Sequence, residues 1–140
     1  MEKHYVPEIE EFHVGFEYET MYLQDYDTWK KEILEENDIE YFYSSYFGDA
    51  VPSEFRVKYL DDEDVISLGF NQITHDCFNL DVPLYRGREK QEVRLIIRQT
   101  VLIYLAQDEK YNDTDTTNLF TGTIKNKSEL KRLLKQLQIL

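Results

Sequence analysis

The stretch EVRLIIRQTVLIYLAQ, Glu92 to Gln107, decides the fold. It reads as two strand-like runs, EVRLIIRQ and TVLIYLAQ, rich in the aliphatic residues that suit a half-buried pleated surface. CFNLDVPLY before it (77–85) and NLFTGTIK after it (118–125) are runs of the same kind, separated by short polar stretches. Four such runs in succession predict an antiparallel meander. Pro83 lacks a ladder donor, so it belongs at a sheet edge or a strand end.

The segment that follows, NKSELKRLLKQLQIL (126–140), has a different period. Leu130, Leu133, Leu134 and Leu137 fall at i, i+3, i+4 and i+7, one face of a helix, with Lys131, Arg132, Lys135 and Gln136 on the other. Asn126 with Glu129 three residues later approximates a capping box, and the cations lie toward the negative helix end. This helix is expected to dock on one face of the sheet.

Upstream, EEFHVGFEYE (10–19) alternates Phe12, Val14, Phe16 and Tyr18 against His13, Gly15 and Glu17, the period of a half-buried strand. Pro7 keeps the residues before it extended. DTWKKEILEEN (27–37) reads as a short helix, with Asp27 or Thr28 as N-cap, Trp29 and Ile33 on one face, and Asn37 as a stop. IEYFYSSYF (39–47) reads as an aromatic strand closed by the turn signal GDAVP, and EFRVKYL (54–60) as a strand with Phe55, Val57 and Tyr59 inward.

Four consecutive acids in YLDDEDVISLGF (59–70) raise the question of a metal. Asp61 sits where an N-cap belongs, and Asp62, Glu63 and Asp64 fill a first turn whose free N–H groups and positive dipole end favour carboxylates. Val65, Ile66 and Leu68 supply an apolar face, and Gly69 is placed to end the helix in a left-handed conformation. A calcium loop begun at Asp62 would put Ile66 at a ligand position, so the helix reading stands.

The chain has 140 residues, 20 of them aromatic, enough for one compact α+β domain spanning residues 1–140 with its own core. Pro and Gly are sparse, and there are no repeats or linkers. A lone Cys77 excludes an internal disulfide framework, the acidic start MEKHYVPEIEEF lacks the pattern of a secretory leader, and LIIRQTVLIYLA is too short and interrupted to span a bilayer. A cytoplasmic protein without membrane contact is expected.

The formal net charge is −12. Residues 1–82 hold 21 acids against 5 bases, whereas residues 83–140 hold 7 acids against 11 bases. The acidic part repels nucleic acid, double-stranded DNA above all, and attracts a basic protein surface, while the C-terminal part could do the reverse.

Several chemistries find little support. His75 and Cys77 share a spacing that suits zinc or a Cys–His pair, but His4 and His13 are distant in sequence and nothing marks an activated thiolate. Phosphate-cradling Gly loops are absent, and no cofactor is implied. Asp108 and Lys110 in QDEK form a D-x-K pattern found at metal-dependent nuclease sites. The sharper candidate is YRGREKQEVRLIIR (85–98), which gathers Tyr85, Arg86, Arg88, Lys90, Arg94 and Arg98. Arginines beside an aromatic suit a small anionic ligand such as a nucleotide, or an acidic partner. The competing reading is a solvated hairpin whose bases offset the acidic remainder through cross-strand pairs.

Three stretches, YVPEIEEFHVGFEYE (5–19), FRVKYLDDEDVISLGF (55–70) and LFTGTIKNKSELKRLLKQL (119–137), together resemble a group of small uncharacterised proteins of gut Bacteroidetes and their phages. The segments between, roughly residues 20–52 and 71–117, lie outside the resemblance. The resemblance implies a cytoplasmic protein of phage or prophage origin, acting by binding as an accessory, takeover or anti-defence factor.

The expectation is therefore an α+β fold: an antiparallel sheet, a C-terminal amphipathic helix on one face, and one or two short helices in the N-terminal half. The expected function is non-enzymatic binding of a host or phage macromolecule, most directly a protein. The alternatives are sequestration of a small nucleotide-type ligand by Tyr85, Arg86, Arg88, Arg94 and Arg98, and a nuclease-like enzyme at Asp108 and Lys110. Exposed strands of such a meander could also pair between chains into a homo-oligomer.

Overall fold

The computed structural model describes residues 2–21, 28–38, 54–83, 90–106 and 117–140. The fold is α+β and mostly strand, and it groups into two compact units, Met1–Tyr59 and Leu60–Leu140.

The second unit is built as the apolar runs of the sequence require. Strands β5 (Asn71–Gln72), β6 (Cys77–Pro83), β7 (Lys90–Ile97), β8 (Val101–Ala106) and β9 (Thr117–Gly122) pair in chain order, each antiparallel to the next. (β1 to β4 belong to the first unit.) Alternation then assigns the faces. Phe78, Val93, Leu95, Val101 and Ile103 point to one side and are almost inaccessible, while Asn79, Glu92, Arg94 and Tyr104 point to the other. Pro83 is the last residue of β6, opposite Lys90, where its missing donor costs least.

Helix α2 (Lys127–Gln136) covers the apolar side. Leu130 and Leu134 are fully buried among the sheet residues, with Leu133 and Leu137 packed at the margin, so the expected stripe is the docking face. Asn126 is the N-cap, its Oδ1 accepting from Glu129 N at 2.8 Å. The returning bond of the box lands one residue early, on Lys125 N at 2.7 Å from Glu129 Oε2.

Helix α1 (Asp62–Ser67) begins at the run of acids. Asp61 Oδ1 accepts from Asp64 N at 3.0 Å and Asp64 Oδ2 accepts from Asp61 N at 3.3 Å, a capping box made of two aspartates. Gly69, at φ +101, closes it as expected. Val65 and Phe70 carry this segment into the core, while Ile66 is exposed.

The first unit departs further from expectation. Its sheet is antiparallel in the order β1 (His4–Tyr5), β4 (Glu54–Lys58), β2 (Glu17–Met21), β3 (Trp29–Ile33). The segment expected as a helix is therefore a strand, β3, paired residue by residue with β2 from Glu17↔Ile33 to Met21↔Trp29. Trp29 and Ile33 are four apart, a spacing that puts two side chains on one face of a helix and equally of a strand. The buried residue is Leu34, while Ile33 is 56% exposed. A single turn of 3₁₀ helix, Glu36–Asp38, follows.

The expected strand over residues 10–19 is also broken. A 3₁₀ turn occupies Ile9–Glu11, Phe16 N bonds back to His13 O at 2.9 Å, and Gly15 takes φ +88. Val14 is thrown outward, 54% exposed, and regular pairing starts only at Glu17. Phe12 and Phe16 nonetheless meet, ring centroids 4.9 Å apart, because the turn folds one over the other. With Leu34 and Val57 they form the small core, flanked by Tyr5, Ile9, Tyr18 and Phe55. Tyr59, expected inward, lies beyond the end of β4, 45% exposed and tilted against Tyr5 at 4.7 Å. The aromatic run 39–47 and its turn lie outside the described residues.

Candidate functional site

Of the five residues proposed to hold a ligand, Tyr85, Arg86 and Arg88 lie outside the described residues, as do Asp108 and Lys110. Arg94 and Arg98 are described, and each has a carboxylate of its own.

Arg94 sits mid-strand on β7, directly across from Asn79 on β6 and Tyr104 on β8. Its Nε donates to Glu92 Oε1 at 3.0 Å, and Asn79 Nδ2 donates to the same oxygen at 3.2 Å. Hydrogen bonds to the Glu92 carboxylate and to the Tyr104 hydroxyl hold the guanidinium well above its ordinary pKa. The result is a satisfied polar row on the sheet face opposite α2, in which the positive charge is neutralised two residues away.

Arg98 lies past the end of β7, in the turn to β8. Its Nε donates to Asp76 Oδ2 at 2.9 Å, and Thr74 Oγ1 donates to Asp76 Oδ1 at 3.1 Å. The hydrogen bond from Arg98, then that from Thr74, lowers the Asp76 carboxyl below its ordinary value. Ile97 N also donates to Asp76 O at 2.9 Å, so this contact ties the loop before β6 to the turn after β7. Arg98 itself is 72% exposed. The two arginines thus serve different contacts, one within the sheet face and one at its end.

His75 is 92% exposed, its Nδ1 3.9 Å from Asp76 Oδ1, and Cys77 begins β6. Among the described residues no group of three His, Cys, Asp or Glu side chains is placed to hold a metal ion. No helix among them is long and apolar enough to cross a membrane.

The first unit contains a cluster that single segments of sequence do not announce. Glu19 on β2 is 16% exposed, and its Oε2 accepts from Arg56 Nε on β4 at 2.8 Å and lies 3.1 Å from His4 Nε2 on β1. The Arg56 guanidinium sits 4.1 Å from the centre of the Trp29 ring on β3, within cation–π range. Every strand of the sheet contributes one side chain. Glu19 and Arg56 are 37 residues apart, so only the strand pairing reveals them.

Around this cluster the surface is acidic. Residues 1–59 hold 15 acids against 5 bases. Glu10, Glu35, Glu36 and Glu54 are exposed and, among the described residues, have no cationic partner.

No protein-family model, curated protein or solved structure matches this chain.

Proposed function

We propose that this is a non-enzymatic accessory protein of phage or prophage origin, which binds a basic surface of a host or phage protein through its acidic N-terminal unit. Blunting a host defence system is the role such binding would serve inside an infected bacterium. One observation carries the reading: among the described residues Glu10, Glu35, Glu36 and Glu54 stand exposed without counter-ions, while the acid the fold needs, Glu19, is drawn in and paired. Unpaired surface carboxylates create a field that steers a cationic partner and favours its binding. The phage context comes from the resemblance of residues 5–19, 55–70 and 119–137.

The pairing of Arg94 with Glu92 and of Arg98 with Asp76 weighs against an anionic small ligand, since each carboxylate would have to be displaced or its charge overcome. Crosslinking of the tagged chain in infected cells, followed by mass spectrometry, identifies a partner. The triple variant Glu10→Gln/Glu35→Gln/Glu36→Gln is expected to lose that partner, and Arg94→Ala/Arg98→Ala to keep it. Retention by the acid variant with loss by the arginine variant would overturn the reading in favour of the ligand site.

A further inference from the structure

Helix α2 carries the described cations that stand together without carboxylate partners among the described residues. Arg94 and Arg98 are spent on Glu92 and Asp76, and Arg56 on Glu19. On α2, Lys131, Arg132 and Lys135 are exposed, and none has a carboxylate partner among the described residues. The acid best placed to pair with Arg132, Glu129 one turn before it, is diverted, its Oε2 accepting from Lys125 N at 2.7 Å. The inner face of the same helix is consumed by the core, so its outward face has only polar contacts to offer.

We propose that this outward face of α2 is a contact surface for the phosphate backbone of a nucleic acid. Charge complementarity is the argument: Lys131 and Lys135 offer point charges that bind phosphate without a fixed orientation, and Arg132 offers a fork that grips its oxygens. Lys131 and Lys135 lie one turn apart, about 6 Å along the axis, far enough to meet different phosphates. The surface carries no base-reading groups in a groove-sized array, so binding is independent of sequence. The net charge of −12 opposes such binding, which keeps it weak and dependent on screening by salt. This surface is separate from the acidic one proposed above and stands or falls without it.

The test is fluorescence anisotropy of the full chain with a labelled single-stranded RNA of about 20 nucleotides, with the matched single-stranded and duplex DNA and with an oligoglutamate peptide, as salt is varied. The expected result is binding of the oligonucleotides whose log K falls with log salt at a slope of about −2 to −3, the value for three released counterions. Lys131→Glu/Arg132→Glu/Lys135→Glu should weaken it at least tenfold. Lys131→Gln/Arg132→Gln/Lys135→Gln should weaken it in the same direction, with an unchanged circular dichroism spectrum. Glu10→Gln/Glu35→Gln/Glu36→Gln should leave it in place, so that the two proposals fail independently. The proposal is overturned if no oligonucleotide binds at low salt, if the charge-reversed variant binds as the parent does, or if oligoglutamate binds tighter than every oligonucleotide. That last outcome would make the face a site for an acidic protein.

Discussion

The two units solve the same packing problem with different side chains. Residues 1–59 hold 14 of the 20 aromatic residues but only 9 of the 33 Val, Leu and Ile, and residues 60–140 hold the remaining 6 and 24. The described core of the first is four buried side chains, two of them phenylalanines set edge to face, and that of the second is ten, mostly aliphatic, between a sheet and a helix. A small core of large rings concentrates its burial in few residues, whereas a large core of branched aliphatics distributes it. Loss of one ring should therefore hurt the first unit more than loss of one leucine hurts the second.

Phe16 is 1% exposed and touches Phe12, so Phe16→Ala should cost about 4 kcal/mol. Trp29 is the only tryptophan and belongs to the same unit, so its fluorescence in a urea titration reports the loss directly. Leu134→Ala in α2 should cost about 3 kcal/mol, read as faster amide exchange at Leu95 and Ile103 beneath the helix. If the leucine proved the costlier of the two, the contrast between a concentrated and a distributed core would be lost.

Two smaller effects sharpen the picture of how the second unit is held. Asn126→Ala removes the N-cap of α2 and should cost about 1 kcal/mol, visible in the urea midpoint. The smallest effect is in the Asp76–Arg98 contact. A carboxyl whose folded pKa lies below its unfolded value stabilises the fold above that unfolded value, and the contribution is lost as pH falls through the folded pKa. Carboxyl resonances followed by NMR should show Asp76 titrating below its ordinary value of 3.8, and Arg98→Ala should move it upward. An unmoved titration would mean that Arg98 is not what holds the loop before β6.

The same contrast governs what the sequence made legible. The second unit was readable because its signals are local: aliphatic runs of strand length, an Asn–Glu pair three apart at the start of α2, and acids filling the first turn of α1. In the first unit the decisive facts are not local. The spacing of Trp29 and Ile33 fits both periods, so only pairing with β2 settles it as strand. Gly15 interrupts an alternation that otherwise looks continuous. The polar cluster needs His4, Glu19, Trp29 and Arg56 from four strands.

For the candidate site, sequence singled out Arg94 and Arg98 as cations near an aromatic. Glu92 is two residues from Arg94 and could have been weighed against it. Asp76 is 22 residues from Arg98, and only the hairpin topology brings it there. The cations of α2 were visible as a helix face, but that they have no carboxylate partner among the described residues is a property of the fold.

At its β9 end the five-stranded sheet carries a small device. The pairing of β9 with β8 slips between Ile103 and Tyr104, and just there Asn118 Oδ1 accepts the N–H of Phe120 at 3.1 Å while its Nδ2 donates to Thr121 Oγ1 at 2.9 Å. A strand with no charged residue would otherwise be an open template, each new chain offering the next the same row of donors. Here the asparagine has already occupied one donor, and the irregular register bends the ladder that a newcomer would need straight. The device should disfavour edge-to-edge pairing, and Asn118→Val is expected to raise concentration-dependent association, read by light scattering.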